Sequence, residues 1–163
     1  RTDLFGTCGA PMTVPDEYPP VVISSGARIE GAMVCSGCLI KGAVIDSILS
    51  PGVVVERGAV VRRSIVFHDC SIGTGASIEN AILDKQVRVG KGTRIGSGDA
   101  LIPNSLQPEY LDFGMTLISR NTRVAEGISI GTNCLVAGSK RSGRMPSRDI
   151  PDGGASIAAD VDL

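Results

Sequence analysis

The side chains of this 163-residue chain suited to chemistry are five cysteines, one histidine and a scatter of arginines. Cys35-Ser36-Gly37-Cys38 has the C-x-x-C spacing of a zinc site or a redox dithiol. A structural zinc needs four ligands, however, and the sequence has no second pair of this kind and only His68 as a histidine. We expect no metal here, with the cysteines acting as small buried side chains. His68, within Phe67-His68-Asp69, is the side chain whose ordinary pKa suits proton transfer near neutrality. Gly90-Lys91-Gly92-Thr93 looks like the end of a phosphate-binding loop, yet the full G-x-x-x-x-G-K-[ST] spacing is absent and no helix is expected to follow. Arg62, Arg63, Arg88, Arg94, Arg120 and Arg123 carry planar, forked donors that match phosphate oxygens, which makes them candidate effector-binding residues.

The elements that must position these groups follow from composition and period. Ile and Val number 16 each against 10 Leu, with no Trp, which favours strands. The 21 glycines are about twice the usual ~7%, which implies frequent tight turns. With 16 basic and 17 acidic residues there is no bulk attraction to nucleic acid. No apolar run approaches the ~20 residues a membrane span needs, and no charged-then-apolar leader opens the chain, so a cytoplasmic location is expected.

Blocks 50–66, 67–83 and 84–100 overlay without gaps. Val55, Ile72 and Val89 coincide, as do Val61, Ile78 and Ile95, while Leu49, Val66 and Leu83 coincide one step earlier. Extending the spacing adds Ile23, Ile29, Val34, Ile40 and Val44 upstream, and Ile118, Val124, Ile130 and Val136 downstream. All 18 positions are aliphatic. The fourth residue after each is usually small or aliphatic, as at Cys38, Ile48, Ala59, Ile65, Cys70, Ala76 and Ile82, which predicts two inward positions per step. Steps of six, six and five have no steady helical face, but they suit three short strands bent at Gly-containing corners. An all-β, triangular parallel coil is predicted, each turn hydrogen-bonded to the next.

Ile72-Gly73-Thr74-Gly75-Ala76-Ser77 and Val89-Gly90-Lys91-Gly92-Thr93-Arg94 resemble the hexapeptide repeats of the left-handed β-helix family, a resemblance that also implies the handedness. Gly37-Cys38-Leu39-Ile40, Ser47-Ile48-Leu49-Ser50-Pro51-Gly52-Val53, Gly58-Ala59-Val60-Val61 with Arg62-Arg63-Ser64-Ile65, and Ala81-Ile82-Leu83-Asp84-Lys85 are similar to the C-terminal domain of bacterial ADP-glucose pyrophosphorylases, over residues 18–96. That resemblance implies an assembly and regulatory domain of a nucleotidyltransferase of glycogen synthesis. It also implies that the parent uses Mg and ATP in an N-terminal catalytic domain, whose Gly-rich nucleotide loop has no counterpart in this sequence. It further implies no cofactor in this fragment, a tetramer, contact with the catalytic domain, and a phosphorylated metabolite effector. The alternative is a free-standing hexapeptide acyltransferase, a family that resembles this coil and uses a histidine as general base, here His68, on an acceptor with an acyl-CoA donor.

The expected organisation is a linker over 1–22 from a catalytic domain outside this chain, which starts at Arg1 rather than Met. A β-helix over 23–138 follows, with an arm or loop inserted at about 97–117, and then a flexible, basic-then-acidic tail over 139–163. Val54, Val60, Phe67 and Leu117 are expected as an outward apolar contact patch, and the arm residues Tyr110 and Phe113 as a reach toward a neighbouring copy.

Overall fold

The computed structural model describes residues 17–138 and 148–157. Short parallel strands stack in three columns to form a left-handed β-helix of about seven turns. Face A contains Val22–Ile23, Leu39–Ile40, Val54–Val55, Ser71–Ile72, Arg88–Val89 and Arg123–Val124. Face B runs from Arg28–Glu30 to Ser129–Ile130, and face C from Met33–Val34 to Ala155–Ile157. Along the middle of the stack, Cα partners are 17 residues apart, as in Ser71 with Arg88 and Ile65 with Ile82, so each turn repeats the sequence block.

The aliphatic columns fill the interior. Of the 18 repeat positions, the 15 from Ile40 to Val136 are buried, and only those of the first turn are not. Ile23 there is 57% exposed, because among the described residues the first turn has a neighbouring turn on one side alone. Cys38, Cys70 and Cys134 occupy the small inward positions expected of them.

At the corner between faces B and C the inward pattern differs from the expectation. That step has five residues, so the backbone must turn sharply, and Asp46, Arg63 and Asn80 take positive φ there (47°, 46° and 44°). The shorter step shifts the pleat by one residue. Ile48, Ile65 and Ile82 therefore point outward on face C, and the inward places go to Ser47, Ser64 and Ala81. Their polar atoms are satisfied along the stack: the Ser64 N–H donates to Ser47 Oγ at 3.1 Å and the Ala81 N–H to Ser64 Oγ at 3.1 Å. Each serine hydroxyl in turn donates to a carbonyl two residues back.

Between Ile95 and Thr116 the inserted loop emerges at this same corner, close to the expected bounds. It is pinned rather than free. Asn104 Nδ2 donates to the Asn133 and Gly154 carbonyls at 2.7 and 3.0 Å, and its Oδ1 accepts from Leu106 and Gln107. Asn133, at φ 51°, donates to the Ala100 and Ile102 carbonyls and accepts from the Gly114 N–H. Tyr110 and Phe113 remain exposed on this anchored loop.

The segment expected as a tail is structured where it is described. Ala155–Ile157 pairs in parallel with Leu135–Ala137, Ile150 is buried and bridges Ile130, and Asp152 accepts from the Asp99 and Thr132 N–H groups. Composition hid this part of the stack, because its register is set by one aliphatic and one carboxylate rather than by a repeat. Residues 1–16 of the expected linker, and Lys140, Arg141, Arg144, Asp160 and Asp162 of the tail, lie outside the described residues.

Candidate anion-binding face

Face A changes character along the stack. Its outward positions are Val22, Leu39 and Val54 in the early turns, Ser71 next, and then Arg88 and Arg123. Alternation puts Val89 and Val124 into the core and so directs both arginines outward. Arg88 and Arg123 are direct register partners. The preceding corner stacks with the same offset, since Leu83 partners Ile118 and the Asn121 N–H donates to the Lys85 carbonyl at 2.9 Å. Lys85 is thereby set beside Arg120. Two like-charged pairs in consecutive turns oppose folding in the free protein. The nearby carboxylate, Asp84, lies 3.7 Å from the Arg120 Nε and accepts the Lys85 N–H at 2.7 Å. Arg88, Arg123 and the Lys85 ammonium have no ion pair among the described residues.

The structure thus divides the six candidate arginines. Arg88, Arg120 and Arg123 gather on one surface. Arg62 and Arg63 instead share Glu79, with Arg62 Nη1 at 3.8 Å and Arg63 in a close ion pair, while Arg63 Nε donates to Asn80 Oδ1 at 2.8 Å. Arg94 lies on face B between Ser77 and Ser129. Lys85 was missed by the sequence reading; the 35-residue offset across the inserted loop, which brings it onto Arg120, is not visible in a 17-residue repeat.

The remaining candidates take their places in the coil. The Cys38, Cys70 and Cys134 thiols donate to the Ser50, Asp84 and Pro151 carbonyls, at 3.2, 3.0 and 3.1 Å. Burial pushes all three thiols up from their ordinary pKa, Cys70 to about 11, so they are poor nucleophiles. The described residues contain no group of three or more His, Cys, Asp or Glu that could hold a metal. His68 Nδ1 is shut away from solvent with no hydrogen-bond partner among the described residues, so no described carboxylate orients the ring through Nδ1 as a general base requires. Gly92, at φ 65°, turns a corner, and Gly90 lies against the backbone of Ala125 and Glu126 in the next turn. Close packing of turns accounts for the Gly90-Lys91-Gly92-Thr93 motif. Among the described residues no helix is long and apolar enough to cross a membrane.

Residues 21–101 match the family model for the GlmU-like C-terminal hexapeptide. The chain is 36% identical over 132 residues to a glucose-1-phosphate adenylyltransferase from Acetivibrio thermocellus, covering 81% of this chain and 31% of that protein. It is 43% identical over 139 residues to one from Thermomicrobium roseum, covering 85% of this chain and 32% of that protein. The chain therefore spans about a third of the length of these relatives. Among solved structures, the acetyltransferase domain of PglB from Neisseria gonorrhoeae aligns over 86% of this chain and 56% of its own, with 23% identity and a TM-score of 0.46. Likeness at that level carries no functional argument. Its stacked turns, the family model and the adenylyltransferase relatives together make this chain a member of the hexapeptide-repeat β-helix domains found in the C-terminal region of glucose-1-phosphate adenylyltransferases.

Proposed function

We propose that this domain assembles and regulates a cytoplasmic glucose-1-phosphate adenylyltransferase of glycogen synthesis, and that catalysis with ATP and Mg takes place in a part of the parent protein outside this chain. The regulatory half of the reading is carried by the stacked, unpaired Arg88 and Arg123. Their mutual repulsion is relieved when a phosphorylated metabolite places its oxygens between the two guanidinium forks. Assembly is supported by the outer side of face C, where Met33, Ile48, Ile65, Ile82, Leu117 and Leu135 form one aliphatic column. The residues expected as a contact patch are more scattered: Val54 lies on face A, Val60 on face B, Phe67 at a corner and Leu117 on face C. A column of this kind suits the catalytic domain of the parent or another copy in a tetramer.

The test is calorimetric titration of the 163-residue chain with glucose 6-phosphate. Saturable binding that weakens about tenfold in Arg88→Gln and in Arg123→Gln, with Arg62→Gln unchanged, supports the reading. Binding indifferent to all three substitutions overturns the regulatory half, and a strict monomer by sedimentation at high concentration overturns the assembly half. The acyltransferase alternative has no specific observation in its favour, since no described residue hydrogen-bonds His68 Nδ1.

A further inference from the structure

One turn of the coil is shorter than its neighbours. Arg28 pairs with Ala43 and Leu39 with Val54 at offsets of 15 residues, not 17, because only Lys41 and Gly42 separate the face A strand Leu39–Ile40 from the face B strand Ala43–Ile45. Elsewhere this corner has four residues, as in Glu56-Arg57-Gly58-Ala59 and Gly73-Thr74-Gly75-Ala76. Corners of full length form a ladder in which the corner glycine donates to the residue before the corner glycine of the turn below. Gly75 donates to Arg57, Gly92 to Thr74 and Gly127 to Lys91, at 3.1, 2.9 and 2.9 Å.

The short turn breaks that ladder at one rung. The Gly58 N–H and the Ser25 C=O, which would each bond the absent corner, have no hydrogen-bond partner among the described residues. Between them lies a notch of about 610 Å³ lined by Ser25, Gly26, Lys41, Gly42, Arg57 and Gly58. With one corner missing, its walls stand roughly two interstrand spacings apart, ~9.6 Å, which leaves room for one peptide backbone. The charged lining is cationic. Lys41 Nζ is held at 3.0 Å from Glu56 Oε1, while Arg57 has no ion pair among the described residues.

We propose that this notch docks a short acidic peptide segment of a partner protein, which supplies the missing corner. One peptide C=O accepts from the Gly58 N–H, an N–H donates to the Ser25 C=O, and an acidic side chain meets Arg57. Backbone pairing gives the fit and the carboxylate gives the selectivity, as in strand addition to a sheet edge. A bare anion uses the Gly58 donor but leaves the Ser25 acceptor unmatched, which favours a peptide. The inference is independent of the adenylyltransferase reading and of the Arg88–Arg123 face.

The chain itself supplies a probe, since Ala125-Glu126-Gly127-Ile128 forms this same corner in another turn. The ¹⁵N-labelled chain is titrated with acetyl-Ala-Glu-Gly-Ile-amide and, separately, with acetyl-Ala-Lys-Gly-Ile-amide and with acetate. Expected are saturable amide shifts at Gly26, Arg57 and Gly58 with the acidic peptide, at least about tenfold weaker binding of the lysine peptide, and no such shifts with acetate. Insertion of Thr-Gly between Lys41 and Gly42 restores a corner of full length and abolishes the shifts while leaving the thermal midpoint within a few degrees. No shift with the acidic peptide, equal binding of the two peptides, the same shifts with acetate, or shifts that survive the insertion each overturn the proposal. Should the insertion unfold the chain, Arg57→Gln decides: affinity at least about fivefold lower upholds the site, and unchanged affinity overturns it.

Discussion

The turns from Ser50 to Ile95 and the part from Gly96 onward build the same prism by different means. In the first, identical turns superpose aliphatic on aliphatic, with Val55, Ile72 and Val89 in one column and Val61, Ile78 and Ile95 in another, all within 5% of full burial. In the second, a loop interrupts the repeat and the joints are polar: Asn104, Thr116 and Asn133 are buried, and Asp152 ties the loop to the last turn. Repetition alone can specify a stack where any turn fits its neighbour. Where a loop must meet one turn and no other, directional hydrogen bonds set the register.

The largest expected effect comes from cutting an aliphatic column. Ile78→Ala removes most of a fully buried side chain between two others and should cost about 2–5 kcal/mol in urea-induced unfolding. Slightly below it stands Asn133→Ala, which deletes three hydrogen bonds and leaves an alanine at positive φ, for about 2–4 kcal/mol. Hydrogen exchange separates the two: Asn133→Ala should release amides of the loop such as Gly114 while Val61 to Leu83 stay protected, and uniform loss of protection would contradict the contrast between the regions. Ser64→Ala is smaller, about 1 kcal/mol, since it removes one rung of the serine ladder without opening a large cavity.

The smallest effect near neutrality concerns Asp152, whose carboxylate is held below its ordinary pKa of 3.8 by the Asp99 N–H first and the Thr132 N–H after it. A carboxylate depressed in the folded state stabilises above its unfolded pKa, and that contribution is lost as pH falls through the folded one. The loop should therefore stay anchored at neutral and mildly acidic pH and loosen only below about pH 3.8. Exchange at Asp99 and Thr132 followed against pH checks this. Asp152→Asn should abolish the acid step, and an unchanged acid step in that variant would contradict the assignment.

How far the sequence could be read follows the same division. Strict spacing of Ile, Val and Leu announced the columns, and the loop showed itself as a break in that spacing. The outward turn of Ile48, Ile65 and Ile82 was concealed, because a five-residue step moves the pleat by one, and a serine at the inward place looks like ordinary surface. Asn133 falls inside the expected coil and Asp152 in the expected tail, and neither announces its role, which depends on partners some 30 to 50 residues away. Of the cationic face, the arginine types were legible and their grouping was not. Arg63 and Arg88 look alike in sequence, yet a corner joins one to Glu79 while register stacks the other on Arg123.

We propose a division of labour in which this prism serves assembly and regulation and leaves catalysis to the rest of the parent protein, since its interior is filled, among the described residues, by aliphatic side chains. Its most direct test is a pyrophosphate-release assay of the purified 163-residue chain with ATP, glucose 1-phosphate and Mg. Release no faster than in a blank without protein is expected, and sustained, protein-dependent formation of ADP-glucose and pyrophosphate would overturn this division of labour.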